Sequence, residues 1–425
     1  METVPQQYPV LGKRPIGVER PGKVNLSNWA ATDSNRLNAI EGLRGYLALW
    51  VLVCHVLWAS GLQANALSGL PKLLRMGEYA VDLVMIVSGF VIFLSLDSRS
   101  VSYKQFIVRR FFRLFPLFLI LFAIAVPFSR LSLWNVLHAT QYLGPTQVQF
   151  LTDTMEMWWE NIYWNIPLHL LMVHGAIPEF LIADAPGAFL VPAWSVSLEW
   201  QFYLIAPFAY ALAISSKQSS RLALCGICLL LILGARYAFP TVQYGAALPF
   251  HVEYFFLGGA SYFLYKRWSA YRLHNVWFSV TGSAAVVLIL VTRSLIPVGL
   301  WIVFMGAILE RSTSLASRVV SPFFTNALNL YLGRISYSIY LTHILIIVVM
   351  QHFLLVCAPQ LTKGWHFMLL LSSTCVVTIA VSAMSYRFIE APGIEWGRIV
   401  ARELAQRRAG RADADRDIAS QAALR

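Results

Sequence analysis

An arginine and a histidine stand eleven positions apart in one strongly apolar stretch, LRGYLALWVLVCHVLWASGL, at residues 43–62. In an α-helix, Arg44 and His55 return to within about 20° of the same face and lie roughly 16 Å apart along it. If Arg44 sits at one membrane surface, His55 lies near the middle of a hydrocarbon core ~30 Å thick. Ionisable groups at that depth are costly and usually face a cavity, so the pair predicts a path from the surface to the membrane midplane.

Two carboxylates and a second histidine accompany this pair in other apolar stretches. Asp82 and Glu199 each lie early in a predicted span, where a hydrogen bond that locks two helices would also account for them. A histidine at mid-depth suits a general base because its ordinary pKa lies near working pH, and either carboxylate could hold the tautomer of His55. The residues that we expect to line a pore or an acceptor site are His343, Trp194 and Glu253.

Three arginines are predicted to meet at the cytoplasmic mouth of this path: Arg44, Arg110 and Arg113. Guanidinium groups bind phosphate in fork geometry, so the three suit a phosphate-bearing ligand. Arg110 and Arg113 could equally be ordinary anchors that follow the positive-inside rule. A phosphate-headed donor with a long thin arm, such as coenzyme A, could enter from the cytosol and present its reactive end near His55.

The composition identifies the class of protein. Of 425 residues, 58% are hydrophobic and 13% charged, and the mean hydropathy is +0.61. Soluble domains carry about twice that share of charged residues, so lipid must be the solvent of this chain. We therefore predict an all-α polytopic integral membrane protein with about ten spans, near residues 43–62, 79–96, 111–128, 194–214, 221–239, 249–265, 276–292, 294–309, 332–356 and 365–387.

The distribution of charge orients these spans. Residues 97–113 hold five basic residues and one acidic residue, whereas residues 129–193 hold one basic residue and five acidic ones. Because short basic loops stay in the cytoplasm, the first segment is expected inside, the second outside, and both chain ends inside. The net charge of +12 then reflects topology and attraction to anionic lipid, without the basic face on a soluble domain that nucleic-acid binding needs.

Three regions follow from this pattern: a cytoplasmic N-terminal segment at 1–42, a membrane domain at 43–387, and a cytoplasmic tail at 388–425 that begins with a partly interfacial helix. The external or interfacial segment at 129–193 contains tryptophans that could stack on sugar rings or mark a membrane interface, namely Trp158, Trp159 and Trp164. We expect no cleaved signal peptide, since the first 42 residues are polar and lack an early apolar stretch. We expect no metal and no bound cofactor, and the five cysteines form no recognisable framework.

Six motifs occur in one order along nearly the whole chain: NAIEGLRGYLALWVLVCHVL, GEYAVDLVMIVSGFVI, RRFFRLFPLF, PAWSVSLEWQFYLIAP, LGRISYSIYLTH and YRFIEAPG. Together they resemble the type-3 integral-membrane acyltransferases, which O-acylate sugars and other hydroxyl compounds in bacteria. The resemblance implies a ten-helix enzyme of the bacterial inner membrane that takes acyl groups, acetyl by default, from cytoplasmic acyl-CoA. Some relatives append a soluble hydrolase-like domain, and this chain resembles the stand-alone form.

The resemblance also implies roles for individual residues. Arg44 and His55 match the family's signature Arg–His pair. Arg110 and Arg113 match its cytoplasmic arginine motif, and Glu199 matches the acid after its WS motif. The family usually has a second acid where this chain has Trp200, so Glu199 alone would carry any role there. In the implied reaction, His55 deprotonates the acceptor hydroxyl as it attacks the thioester, or forms an acyl-histidine.

Two other classes of function use similar residues. A transporter or flippase for a glycan or lipid intermediate would place acids and histidines in the membrane as a proton relay, without group transfer. A structural partner of a polysaccharide assembly complex would tolerate changes at His55. Consumption of acyl-CoA with release of free thiol distinguishes the enzyme from both.

Overall fold

The structure, a computed structural model, describes residues 26–62, 67–98, 102–238, 245–271, 295–309 and 322–423. These residues form helices and connections, with no strand among them. The helices are α1 (Leu26–Ala59), α2 (Gly69–Arg75), α3 (Glu78–Asp97), α4 (Tyr103–His138), α5 (Pro145–Glu160), α6 (Ile162–Leu170), α7 (Ala193–Ile214), α8 (Gln218–Ala238), α9 (Val252–Tyr271), α10 (Leu295–Leu309), α11 (Ala327–Arg334), α12 (Ser336–Cys357), α13 (Lys363–Ser385) and α14 (Ala391–Ala423).

Six helical segments of the described chain are long and apolar enough to cross a membrane. They coincide with six predicted spans and confirm an all-helical membrane protein; they are Leu37–Ala59, Glu78–Asp97, Tyr103–His138, Gln218–Ala235, Ser336–Cys357 and Lys363–Arg407. Three further predicted spans, at 194–214, 249–265 and 294–309, coincide with helices α7, α9 and α10. The predicted span at 276–292 lies outside the described residues.

Helix α4 begins earlier than the apolar pattern predicts, at Tyr103 rather than residue 111. A capping box starts it: the hydroxyl of Ser102 accepts from the backbone N–H of Gln105 (3.4 Å), and the Gln105 side chain accepts from the N–H of Ser102 (2.8 Å). Hydropathy locates only the apolar part of such a helix. The basic segment predicted as a loop at 97–113 is therefore helical from Tyr103 onward, which fixes the directions of its arginines.

Helices α3 and α9 pack closely against each other. Glycines make it possible: a Cβ placed on Gly258 would lie 2.0 Å from the carbonyl oxygen of Ile86, and one on Gly89 would lie 2.3 Å from that of Phe255. In lipid, small residues at a crossing let two backbones approach and pack closely. This contact fixes α3, which carries one wall of the candidate site.

The substitution Gly258→Ala is expected to destabilise the protein, because a methyl group forced into a packed backbone contact costs ~1–3 kcal/mol. Gly226→Ala on α8 is the control, since a Cβ there meets no atom within 4 Å and alanine favours the helix. Thermal unfolding of the purified proteins, followed by tryptophan fluorescence, should show a lower melting temperature for the first variant alone. Equal melting temperatures would contradict the close α3–α9 contact.

The segment between α4 and α7 folds into α5, α6 and two short 3₁₀ turns, in which Trp158 is buried and Trp159 is half-buried. The indole N–H of Trp158 donates to a carboxylate oxygen of Asp184 (2.7 Å), and that of Trp159 donates to the hydroxyl of Ser129 (3.1 Å). Both indole groups are thus held by hydrogen bonds within the protein, and stacking on sugar rings or a place at a membrane interface stays a prediction. Trp164 is the most exposed of the three tryptophans, at 64%.

Asp184, outside the membrane-spanning helices, provides a pH-dependent term in stability. Burial raises its pKa from 3.8 to about 6, although the Trp158 indole favours the charged carboxylate. Because the pKa of this carboxyl is higher in the folded state, its contribution to the free energy of unfolding is fully present below the unfolded pKa. That contribution is lost as the pH rises from about 4 to about 6. Asp184→Asn keeps a hydrogen-bond acceptor and tolerates the backbone φ of 47° at this position.

We therefore expect Asp184→Asn to raise the melting temperature at about pH 8, with a difference from wild type that disappears near pH 4. Asp153→Asn, at an exposed position on α5, should show no such pH-dependent difference. Melting curves at several pH values measure both. A difference in melting temperature between Asp184→Asn and wild type that grows towards low pH would contradict the raised pKa of Asp184.

The C-terminal helix α14 packs along α4. The side-chain amide of Gln105 donates to the carbonyl of Ala401 (3.1 Å), and a Cβ on Gly397 would lie 2.8 Å from the side chain of Phe112. Helix α14 follows α13 through a π-helical turn at Tyr386–Glu390. The tail is thus continuous with the membrane domain over its first part.

Candidate active site

A cavity of about 140 Å³ lies between α1, α3, α4, α7 and α12. It brings together four residues that the sequence singled out, Arg44, Arg110, Arg113 and Glu199. Arg110 and Arg113 stand three positions apart on α4, so they share one face of that helix. The polar side chains that complete the lining are Ser88, Ser195, Tyr203, Ser336, Tyr337 and Tyr340.

The carboxylate of Glu199 is held in place by two hydroxyl groups. Ser88 on α3 donates to its Oε1 (2.9 Å), and Tyr203, one turn further along α7, donates to the same oxygen (2.5 Å). These bonds fix the carboxylate in the cavity wall. The sequence analysis missed Tyr203, which the four-residue spacing from Glu199 on a predicted helix could have revealed.

The three arginines carry more positive charge than their described neighbours balance. Arg110 donates to the hydroxyl of Ser95 (3.1 Å) and lies over the rings of Phe106 and Tyr203, 5.3 Å from each centroid. With the described residues, the three guanidinium groups form no ion pair within 4.0 Å, since the ion pairs found there join other side chains. Guanidinium groups so placed attract an anionic ligand.

His55 lies against a second histidine instead of a carboxylate. Its Nδ1 is 2.9 Å from the carbonyl oxygen of Val51 and 3.1 Å from Nε2 of His343, which is fully buried on α12. Neither Asp82 nor Glu199 is among the described hydrogen-bond partners of the ring. We expected a carboxylate to orient His55, but the packing of α12 against α1 places the imidazole of His343 beside its Nδ1 instead.

Tyr340 connects the cavity with the histidine pair. Its ring lines the cavity, its hydroxyl lies 2.6 Å from that of Ser195, and its centroid is 6.0 Å from the centroid of His343. One helix turn of α12 thus spans the distance between the two groups. A ligand whose charged end sits among the arginines is separated from the histidines by this tyrosine.

Comparison with known proteins identifies the family. The family model described as an acyltransferase domain, of type 3, matches residues 37–387, most of the chain. The chain belongs to this acyltransferase family. The resemblance seen in the six motifs is thereby confirmed, and no solved structure shows a significant match.

Three curated relatives of this acyltransferase are similar to parts of it. Acyltransferase MdmB of Streptomyces mycarofaciens is 29% identical over 42% of the chain and 40% of its own length. The putative membrane-bound transacylase BcsY of Komagataeibacter xylinus is 28% identical over 45% and 42%. The peptidoglycan O-acetyltransferase OatA of Listeria monocytogenes is 22% identical over 83% and 55%. The chain thus matches between two fifths and just over half of each relative.

Another group of predicted site residues of the acyltransferase forms a separate cluster. Asp82 Oδ1 lies 4.0 Å from Nδ1 of His251, whose ring is 5.7 Å from that of Trp194. Glu253, two positions beyond His251, is buried at the start of α9. Asp82, Trp194 and Glu253 do not line the arginine cavity. Asp82 is therefore not among the described partners of His55, the base that it was predicted to orient.

Glu390 is a further carboxylate of the acyltransferase that the sequence analysis missed. The π-helical turn at Tyr386–Glu390 presents it, and the hydroxyl of Ser338 donates to its Oε2 (2.8 Å). It interacts electrostatically with Arg113 and Arg44. Such turns are frequent at functional sites, and the motif YRFIEAPG, which contains it, was the available signal.

Proposed function

We propose that this acyltransferase moves an acyl group, most simply acetyl, from cytoplasmic acyl-CoA to a hydroxyl of a sugar or glycan at the membrane or its outer side. The observation that carries the proposal is the cavity with three guanidinium groups, none paired with a described carboxylate, beside the Tyr340–His343–His55 row. Coenzyme A supplies both parts that this arrangement suits, several phosphates and a thin thioester-bearing arm. The relatives named transacylase and O-acetyltransferase support the same class of reaction.

In the proposed reaction, Arg44, Arg110 and Arg113 hold the phosphates of the donor. Nε2 of His55 takes the proton of the acceptor hydroxyl as its oxygen bonds to the thioester carbonyl carbon. When the tetrahedral adduct collapses, the carbon–sulfur bond breaks and the departing CoA thiolate takes that proton from His55. The products are an ester and free CoA thiol, and no co-reactant is needed.

The proposal includes a topology of ten spans in the bacterial inner membrane, with the basic face of α4 and both termini in the cytoplasm. The excess of basic residues at 97–113 and of acidic residues at 129–193 supports it. A reporter inserted after Leu404 should read cytoplasmic, and one inserted near Asp153 should read external. A C-terminus outside would imply an odd number of spans and would put the donor on the other side.

The direct test is a thiol-release assay on the purified protein in lipid nanodiscs with acetyl-CoA and candidate acceptors. We expect acceptor-dependent release of free CoA, with transfer of the acetyl group followed by mass spectrometry. Surface glycans from cells with and without the gene would identify the acceptor. A protein that moves a glycan or lipid across the membrane without consuming acetyl-CoA would be a flippase instead.

A further inference from the structure

The histidine pair that joins α1 and α12 has an arrangement of donors and acceptors that restricts where its protons lie. His343 is 0% exposed, and its Nδ1 lies 3.2 Å from the carbonyl oxygen of Ile339. A carbonyl only accepts, so Nδ1 of His343 must carry the hydrogen. An uncharged imidazole has one N–H, and a charged one buried without a carboxylate partner would be costly. The Nε2 of His343 therefore presents a lone pair.

This lone pair points at His55. Nε2 of His343 is 3.1 Å from Nδ1 of His55, which also lies 2.9 Å from the carbonyl oxygen of Val51. Both neighbours are acceptors, so the hydrogen of a neutral His55 belongs on Nδ1, shared between them. The other nitrogen of His55, Nε2, is then unprotonated and has the lone pair that a general base needs.

We propose that His343 is a positioning residue, which holds the ring of His55 in the tautomer that leaves Nε2 free to accept a proton. The inference deepens the proposed acyl transfer and rests on His55 as its base. His343 touches no substrate in this scheme. It replaces the carboxylate of other catalytic triads with a neutral acceptor that also receives the Nδ1–H bond when His55 is protonated.

The matched pair of variants is His343→Gln and His343→Leu. The side-chain oxygen of glutamine can accept the bond from Nδ1 of His55, whereas leucine fills the space without an acceptor. We expect the leucine variant to lose ~10–100-fold in kcat with an unchanged KM for acetyl-CoA, the usual range for a lost orienting partner. The glutamine variant should retain most of the rate.

His366→Leu is the control for removing a buried histidine. His366 is also 0% exposed, and its ring nitrogens have no hydrogen-bond partner among the described residues. This variant should keep the wild-type kcat. A wild-type kcat in His343→Leu, or equal losses in the leucine and glutamine variants, would overturn the assignment.

A second measurement is independent of activity. Nitrogen-15 NMR of protein labelled at histidine, without any acyl donor, reports which ring nitrogen of His55 carries hydrogen, with the signal assigned by its loss in His55→Gln. We expect the Nδ1–H tautomer in the wild type and in His343→Gln, and a mixture in His343→Leu. An unchanged tautomer in the leucine variant overturns the inference, whereas the expected tautomers in a protein that never consumes acetyl-CoA would overturn only the proposed reaction.

Discussion

Replacing His55 by glutamine should lower the rate of acyl transfer by ~10²–10⁴-fold, the range for loss of a general base, while the protein still binds acyl-CoA. Glutamine approximates the size of histidine and can occupy its hydrogen bonds, but it cannot accept a proton at neutral pH. The substitution therefore removes the proton acceptor but changes the packing at this half-buried position little. The measurement is kcat from CoA release, together with the affinity for acetyl-CoA by calorimetry.

Two comparisons keep this prediction specific. His55→Ala should lose as much rate and also some stability, because it leaves space between α1 and α12. His138→Gln, an exposed histidine that stacks on Trp134 near the end of α4, should leave kcat unchanged. Acyl transfer by His55→Gln at near the wild-type rate would make His55 a structural histidine and would remove the proposed mechanism.

Replacing Arg113 by alanine should weaken acyl-CoA binding by about 10–150-fold, since a lost charge-assisted bond to phosphate costs ~1.5–3 kcal/mol. The residual turnover should be recovered at high donor concentration, because the base is intact. Arg44→Ala and Arg110→Ala should behave in the same way, with a raised KM for acetyl-CoA. Arg113→Lys should lie in between, because an ammonium keeps the charge without the fork geometry.

Lys104→Ala removes the same charge from an exposed position on the same helix and is the matched control. A role in topology alone predicts similar effects for Lys104 and Arg113, on insertion and expression rather than on donor affinity. The proposed role predicts a large effect on KM at Arg113 and none at Lys104. Unchanged donor affinity in the arginine variants would return them to the role of membrane anchors.

The sequence predicted that the three arginines meet, whereas it offered Glu199 as a partner of His55; the structure places Glu199 in the arginine cavity. Arg110 and Arg113 share a helix face by their spacing, and Glu199 in an apolar stretch had to face another polar group. Lipid excludes each of these polar side chains, so few arrangements of the helices can accommodate them other than a shared polar cavity. Of the hydroxyl partners of Glu199, Tyr203 follows it by one turn of the same helix, whereas Ser88 lies on another helix and could not be found without the helix pairing.

The partner of His55 could not be predicted in the same way. His343 follows it by 288 positions, and only the packing of α12 against α1 brings the two rings together. Asp82 was an equally reasonable partner from its depth in a predicted span, but His251, the residue before α9, lies beside it. Helix ends were also misplaced where polar capping residues such as Ser102 extend a helix beyond its apolar part.

The glycine contact between α3 and α9 has a consequence for how a ligand enters. Gly89 is next to Ser88, whose hydroxyl holds Glu199, so the backbone that meets Phe255 also sets the position of that carboxylate. Because its backbone is in direct contact with that of α9, α3 cannot shift to widen the cavity. In the proposed reaction, the space that a pantetheine arm needs beyond about 140 Å³ would come from displacement of the other helices that line the cavity, α1, α4, α7 and α12. In that scheme, donor entry and release of spent CoA depend on movement of these helices rather than of α3.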